Sequence, residues 1–346
     1  MNILYVGELN YGSTARMRME YLQQLGHCVE GIDTCFHLEP DFITRNLARI
    51  FWRLGWPLDL TNLNKRLIGR VLLLRPEIVW VDKGLYIRRD TLAVLKRRLP
   101  SLRLIHYNPD DPFGHGGRAG WRRFIHTIPE YDVHFVPRKE NIQEYEQRGC
   151  KRVIHNIPTR GFDPDIHKPY PADDAIKRDL ACDLGFLGGY EKERAASLLR
   201  LGEAGHQVRL MVDWPESYWH KNFLRAPYQV RGKNYAKAIS SFKIGLGFLR
   251  KSNRDQHTSR SIEIPACGTF MLAERTEEHL MLFEEGKEAE FFSSDEEMID
   301  KVRFYLANDT IREAIARAGH KRCLRSGYDY TSRMRQMLEQ VMQVEN

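Results

Sequence analysis

The order of its elements predicts an α/β protein of two units, each an open parallel sheet with helices on both faces. Three observations carry that expectation. Short apolar runs alternate with segments of helical periodicity along most of the chain. At 346 residues the chain is longer than one ordinary domain and suits two. Between Pro158 and Pro171 lie four of its 15 prolines, with several charges and little periodicity, and a second β/α series starts after them. The expected units are therefore residues 1–165 and 166–330, followed by a terminal helix at 331–346.

In the first unit Ile3–Val6 reads as a strand closed by Gly7. A polar loop follows, then a helix on which Met17, Tyr21, Leu22 and Leu25 share a face before Gly26. Cys28–Ile32 reads as the next strand, and Ile78–Val81, after Pro76, as another. Thr91–Arg98 reads as a helix stopped before Pro100, and Leu102–Tyr107 as a strand. In the second unit Leu184–Leu187 is a strand ending in Gly188-Gly189, and Glu191–Leu201 a helix before Gly202. Val208–Val212, Ile244–Phe248 and Thr269–Ala273 read as strands. Helices at Glu296–Leu306, Ile311–Cys323 and Ser332–Val344 close the chain, the last able to cross back to the first unit. Open parallel sheets bind ligands at the carboxyl ends of their strands, so the two sets of loops are expected on either side of an interdomain cleft.

Composition narrows the classes. With 42% hydrophobic and 29% charged residues the chain can build cores and is neither disordered nor collagen-like. Lys and Arg outnumber Asp and Glu by 53 to 46, a net charge of +7 that favours phosphate-bearing partners. The six cysteines, at 28, 35, 150, 182, 267 and 323, form no C-x-x-C pair and no dense framework, which argues against a zinc ribbon or a disulfide scaffold. No basic stretch leads into a long apolar region, and no apolar run approaches the roughly 18 residues of a membrane span. A cytoplasmic location is expected.

The most informative stretch runs from Arg254 to Thr269. It reads as a short helix entered through Thr258 or Ser259 and stopped by Gly268, with a buried strand after it. A helix start in that position offers N–H groups and positive dipole to a phosphate, and Arg260 adds a fixed charge. Glu263, one turn in, can accept hydrogen bonds from two neighbouring sugar hydroxyls. An ordinary capped surface helix has the same spacing.

A second constellation, His106 to Gly114, follows a strand directly and contains Asp110-Asp111. Either carboxylate can serve as a general base, although Asn-Pro and Asp-Pro dipeptides also form turns in their own right. Asp beside His invites a metal reading, but His106, His115 and these carboxylates lack a ligand spacing, and no metal is expected. Gly7–Gly12 is a glycine-bearing loop with Ser13 and Thr14 as caps and Arg16 and Arg18 in the first helical turns. It carries neither Gly-Lys-Ser/Thr nor G-x-G-x-x-G, so Walker and dinucleotide readings fail.

Thr44–Arg70 holds Arg45, Arg49, Arg53, Lys65, Arg66 and Arg70 against Asp59, five of the seven net positive charges. Leu47, Ile50, Phe51 and Leu54 recur at helical spacing beside Trp52 and Trp56. Such a basic amphipathic segment suits an anionic bilayer or a polyanionic acceptor, or else packs its apolar side on the first sheet.

The Arg254–Thr269 stretch resembles the donor-binding signature of the GT-B glycosyltransferases, in which two acidic residues eight positions apart precede a small-residue helix ending in Gly. Asp255 and Glu263 have that spacing, with Asp where the family commonly has Glu, and Pro265 sits inside the helix. The tail from Ser261 through Glu274-Arg275-Thr276-Glu277-Glu278 and Leu282–Glu288 to Ser326-Gly327-Tyr328 is similar to the spore-maturation branch of that superfamily. Phe186–Arg194 resembles the first strand and loop of its donor domain, and Asn156-Ile157-Pro158 to Lys168-Pro169 the end of its acceptor domain.

The resemblance implies the GT-B fold, two Rossmann-like domains with parallel sheets facing an interdomain cleft. It also implies hexosyl transfer from a nucleotide-diphosphate sugar to a glycan or lipid-linked acceptor, with retention of anomeric configuration. Gly188, Gly189, Lys192, Arg194, Asp255, Thr258, Ser259, Arg260 and Glu263 would then bind the donor. Asp110 or Asp111 would act on the acceptor, and Gly12, Ser13 and Arg16 would border it. The nucleotide sugar is a co-substrate, so no cofactor or metal is expected, nor any specific nucleic acid. Contact with the membrane's inner face is expected through the basic segment. Two rivals remain, a nucleotide-sugar epimerase of the same fold and a non-catalytic basic nucleic-acid-binding protein.

Overall fold

A computed structural model describes all residues except 36–40, 115–119, 159, 172–173, 212, 228–229 and 344–346. His115, Val212 and Val344, named above, lie outside the described residues. The chain divides into two compact units. The first is Met1–Thr159 with Ser252–Arg254 and Met334–Asn346, and the second is Arg160–Lys251 with Asp255–Arg333.

The first unit is built on six parallel strands: β1 (Asn2–Gly7), β2 (Cys28–Asp33), β3 (Ile78–Asp82), β4 (Arg103–Tyr107), β5 (Val133–Val136) and β6 (Val153–His155). Their spatial order is β2-β1-β3-β4-β5-β6, with Leu4 opposite Val79 and Val79 opposite Leu104. β3 is buried at all five positions, as a strand covered on both faces must be. On one face Leu4, Val79 and Leu104 pack against Leu67, Val71, Leu92 and Phe124, each such side chain contributing roughly 1.5–3 kcal/mol. On the other, Trp80 stacks between Tyr5 and Phe135.

The second unit repeats the plan with β7 (Cys182–Phe186), β8 (Val208–Leu210), β9 (Phe223–Arg225), β10 (Phe242–Gly247), β11 (Phe270–Glu274) and β12 (Glu290–Phe292), ordered β12-β11-β10-β7-β8-β9. The strand order therefore reverses between β1 and β3 in one sheet and between β7 and β10 in the other. At such points successive loops diverge and leave a crevice at the carboxyl ends of the strands.

β5, β6, β9 and β12 are not expected from the sequence, nor are the helices Arg122–Thr127, Lys139–Glu146 and Lys233–Ser240. The basic segment is two helices, Phe42–Arg53 and Leu63–Leu74, parted by a turn in which Asn62 takes a left-handed conformation. The last helix, Tyr330–Met342, joins the first unit from Met334 onward, where Arg152 donates to the Gln340 carbonyl at 3.0 Å.

Candidate functional site

In the second unit the loop after β10 leads into the helix Arg260–Ala266. Gly245 of β10 lets that helix in, since a Cβ there would stand 2.7 Å from the Ile264 side chain. Ser259 is the N-cap residue, yet its side chain does not cap and accepts instead from Arg160 at 3.1 Å. Pro265 falls in the last turn, where it cannot donate the i→i−4 bond to the Ser261 carbonyl, and Gly268 at φ +75° ends the helix as expected. The start is held from behind: the Thr258 N–H donates to Ser261 Oγ at 2.9 Å, and Ser261 contacts the buried ring of His279. His257 is paired with Glu278 at 2.5 Å.

Arg260 is half-buried, and its Nε has no hydrogen-bond partner among the described residues. Its guanidinium lies 5.3 Å from the Phe186 ring centre, and that of Arg194 lies 5.5 Å from the same ring. The two differ in what they hold. Arg194 is buried and donates to the Gly189 carbonyl at 3.2 Å and the Leu249 carbonyl at 3.1 Å, while pairing with Glu191 at 3.2 Å. It thus braces the loop after β7 to the loop after β10. Burial, and next the charge of Arg260, lower its pKa to about 10. The Gly188 carbonyl accepts from Trp214 at 2.9 Å. Lys192 stands exposed at the first position of the following helix.

Glu263 presents a carboxylate nearly covered by its surroundings. Oε2 accepts the Tyr235 hydroxyl at 2.9 Å, and Oε1 lies 3.8 Å from His167 Nε2. Burial and the neighbouring carboxylate raise the Tyr235 pKa well above its usual value, which keeps the phenol a donor. Asp255 and Thr258 are half-buried beside the helix start. Sequence reasoning missed Tyr235 and His279 and named His167 only within the segment resembling the end of the acceptor domain, for none shares a spacing with Glu263 or Ser261.

In the first unit the two adjacent carboxylates have different fates. Asp111 is buried. Its Oδ2 accepts Arg254 Nε at 2.5 Å, and its Oδ1 accepts Arg254 Nη2 at 2.9 Å, the Phe113 N–H at 3.0 Å and Asn141 at 3.1 Å. Burial pushes its pKa up, but these donors outweigh it and hold the carboxyl below its usual range. Asp110 keeps 24% of its side chain exposed and pairs with Lys83 at 2.8 Å. Its own N–H donates to Asn108 Oδ1 at 3.1 Å, so the turn reading of this segment holds as well. Beneath them His106 and His134 are buried side by side, and burial keeps both neutral at pH 7.

Gly12, at φ +79°, leads into Ser13, whose Oγ caps the helix Thr14–Gln24 by accepting the Arg16 N–H at 3.2 Å. Arg16 pairs with Glu20 at 2.7 Å on the surface. The loop is thus a capped β/α turn. Behind it Arg18, two residues after Arg16 in the same helix, is buried with Asp82 at 2.5 Å and lies 4.2 Å over the Tyr107 ring. The helix Phe42–Arg53 has no buried residue, and Ile43, Leu47, Ile50 and Leu54 are between 45% and 70% exposed.

Among the described residues no group of three or more His, Cys, Asp and Glu is placed to hold a metal ion. No described helix is long and apolar enough to cross a membrane.

Comparison with known proteins supplies the context. Residues 193–339, which include the Arg260 helix, match the glycosyl transferase-like family. No sequence among curated proteins matches the chain. Three solved structures share its fold along their whole length. Sucrose-phosphate synthase from Thermosynechococcus elongatus is 12% identical, with 99% of each chain covered and a TM-score of 0.68. Anabaena HepE, solved with UDP-glucose, is 11% identical over 99% of this chain and 100% of that one, with a TM-score of 0.67. The catalytic domain of starch synthase IV from Arabidopsis thaliana, bound to ADP and acarbose, is 10% identical over 99% of both chains, with a TM-score of 0.68.

Proposed function

We propose that this chain, a glycosyltransferase of GT-B fold, takes a hexosyl group from a nucleotide-diphosphate sugar held by its second unit. The group passes to an acceptor hydroxyl bound by the first. The observation that carries this reading is Arg260, with an unengaged Nε at the start of a helix that side chains leave uncapped, beside the point where strand order reverses between β7 and β10. Breaking the anomeric bond leaves a charged diphosphate and an oxocarbenium-like sugar, so positive charge at the leaving group is the useful help. Arg260, Lys192 and the helix start supply it without a metal. Arg194 shapes the loops around them, and Glu263, steadied by Tyr235, takes the ribose hydroxyls. The likeness of Ser261–Tyr328 to the spore-maturation branch supports the same assignment.

On the acceptor side the role falls to Asp110, since Asp111 is committed to Arg254. Asp110 takes or orients the proton of the acceptor hydroxyl, with Lys83 fixing its direction. The exposed stripe of the helix Phe42–Arg53, flanked by Arg45, Arg49 and Arg53, supports peripheral contact with an anionic membrane, where a glycan or lipid-linked acceptor would be met. Release of nucleoside diphosphate from the nucleotide sugar, measured with and without added acceptor, is the test. It should depend on acceptor; turnover to an epimeric nucleotide sugar without acceptor would favour the epimerase instead.

A further inference from the structure

A cavity of about 840 Å³ opens within the first unit. That volume lies in the range of small-molecule sites. Its wall includes Phe113, two residues beyond Asp111, and Trp56, which stacks on His126 with ring centres 5.3 Å apart. Gly55, at φ +83°, makes the bend before Trp56, and its lack of a Cβ lets the Arg122 side chain lie within 3.0 Å of where one would be.

The charge of this wall is one-sided. Arg122 and Arg148 both line the cavity, are exposed, and make no ion pair or side-chain hydrogen bond among the described residues. Arg89, also in the wall, is paired with Glu130 at 2.7 Å. Among the described lining residues the one acidic side chain, Glu144, is already bound by Arg254 at 2.8 Å and Asn141 at 2.8 Å. Two guanidiniums unpaired among the described residues therefore face a cavity whose wall also offers apolar surface from Trp56, Pro112, Phe113, Ile125 and Pro129. Free guanidiniums bind phosphate and carboxylate bidentately, and apolar surface receives the C–H face of a sugar ring.

We propose that this cavity is the anion-recognising part of the acceptor site, and that the acceptor sugar carries a phosphate or carboxylate group. The proposal rests on the glycosyltransferase reading and adds the substrate class to it. The anionic group sits between Arg122 and Arg148, and the ring lies toward Phe113 and so toward the Asp110-Asp111 turn.

Equilibrium binding to the full chain tests this without any turnover. Glucose 6-phosphate, glucuronate, glucose and inorganic phosphate are titrated into the wild type, into an Arg122→Gln/Arg148→Gln variant and into an Arg122→Lys/Arg148→Lys variant. The anionic sugars should bind saturably and at least tenfold more tightly than glucose or inorganic phosphate. The Gln variant should lose at least tenfold in affinity for them, and the Lys variant should regain part of it. Failure of both anionic sugars to bind, equal affinity for glucose, or unchanged binding by the Gln variant would overturn the proposal. Nucleoside diphosphate binding, measured on the same samples, reports separately on the donor site, so either reading can fail alone.

Discussion

Ser261 Oγ stands 2.7 Å from His279 Nε2, and the other ring nitrogen of His279 stands 2.6 Å from the Glu274 carbonyl. A carbonyl can only accept, so Nδ1 carries the proton and Nε2 takes the Ser261 hydroxyl hydrogen. Ser261 in turn accepts from the Thr258 N–H. The three bonds run in one direction, from the backbone that opens the Arg260 helix to the end of β11. A protonated His279 would reverse the middle bond, because Nε2 would become a donor and the Ser261 hydroxyl would have to accept from it and turn its own hydrogen elsewhere.

Acid should therefore loosen the protein early. Burial holds His134 and His279 neutral, lowering each pKa to about 4, and His106 is lowered as well. The unfolded chain takes up these protons near pH 6.5 and the folded one does not. Stability is thus full above that pH and falls as pH drops toward 4, by up to about 1.4 kcal/mol per pH unit for each histidine. Urea unfolding of the wild type and of His279→Gln between pH 7 and 4.5 checks this. The variant should show the shallower dependence; identical slopes would count against a neutral His279.

Asp110 and Asp111 should separate by phenotype. Asp110→Asn is expected to lower turnover about a hundredfold, as for loss of a general base, with stability changed by no more than about 1 kcal/mol because its pair with Lys83 is partly exposed. Asp111→Asn leaves Arg254 short of its carboxylate and should cost up to about 3 kcal/mol in stability. Thermal melts and acceptor-saturated rates on both variants decide it. Full turnover by Asp110→Asn would move the base elsewhere.

How much of this was legible in the sequence depends on the element. β3 reads plainly, because burial on both faces leaves an unbroken apolar run. β5 and β12 do not, since each is short and buries a polar residue whose partner is remote: His134 meets His106, and Glu290 meets the Tyr305 hydroxyl. The Gly268 stop and the Ser259 start are local events and appear in the sequence. The difference between Asp110 and Asp111 is not local, for it is made by Arg254, 143 residues further on. Arg194 reads as a free cation in a basic loop, and only the fold shows that two carbonyls and Glu191 occupy it.

The exposed stripe of the helix Phe42–Arg53 should bind anionic bilayers. Each basic residue near such a surface contributes about 1 kcal/mol, so changing Arg45, Arg49 and Arg53 to Gln should weaken binding by about 3 kcal/mol. Ile43→Ser/Leu47→Ser/Ile50→Ser should weaken it through lost apolar burial at any salt concentration. Co-sedimentation with phosphatidylglycerol-containing vesicles across salt concentrations reads both. Equal, salt-insensitive binding by all three proteins would count against membrane contact.

The donor site is the centre of the account, and calorimetric titration of nucleoside diphosphates into the wild type, Arg260→Ala and Glu263→Ala tests it most directly. The wild type should bind at least one of UDP, ADP and GDP. Each variant should remain folded and lose about 1.5–3 kcal/mol of that affinity, the range for hydrogen bonds to a charged group. If no nucleoside diphosphate binds, or if both variants bind as the wild type does, the helix Arg260–Ala266 does not hold a nucleotide-sugar donor.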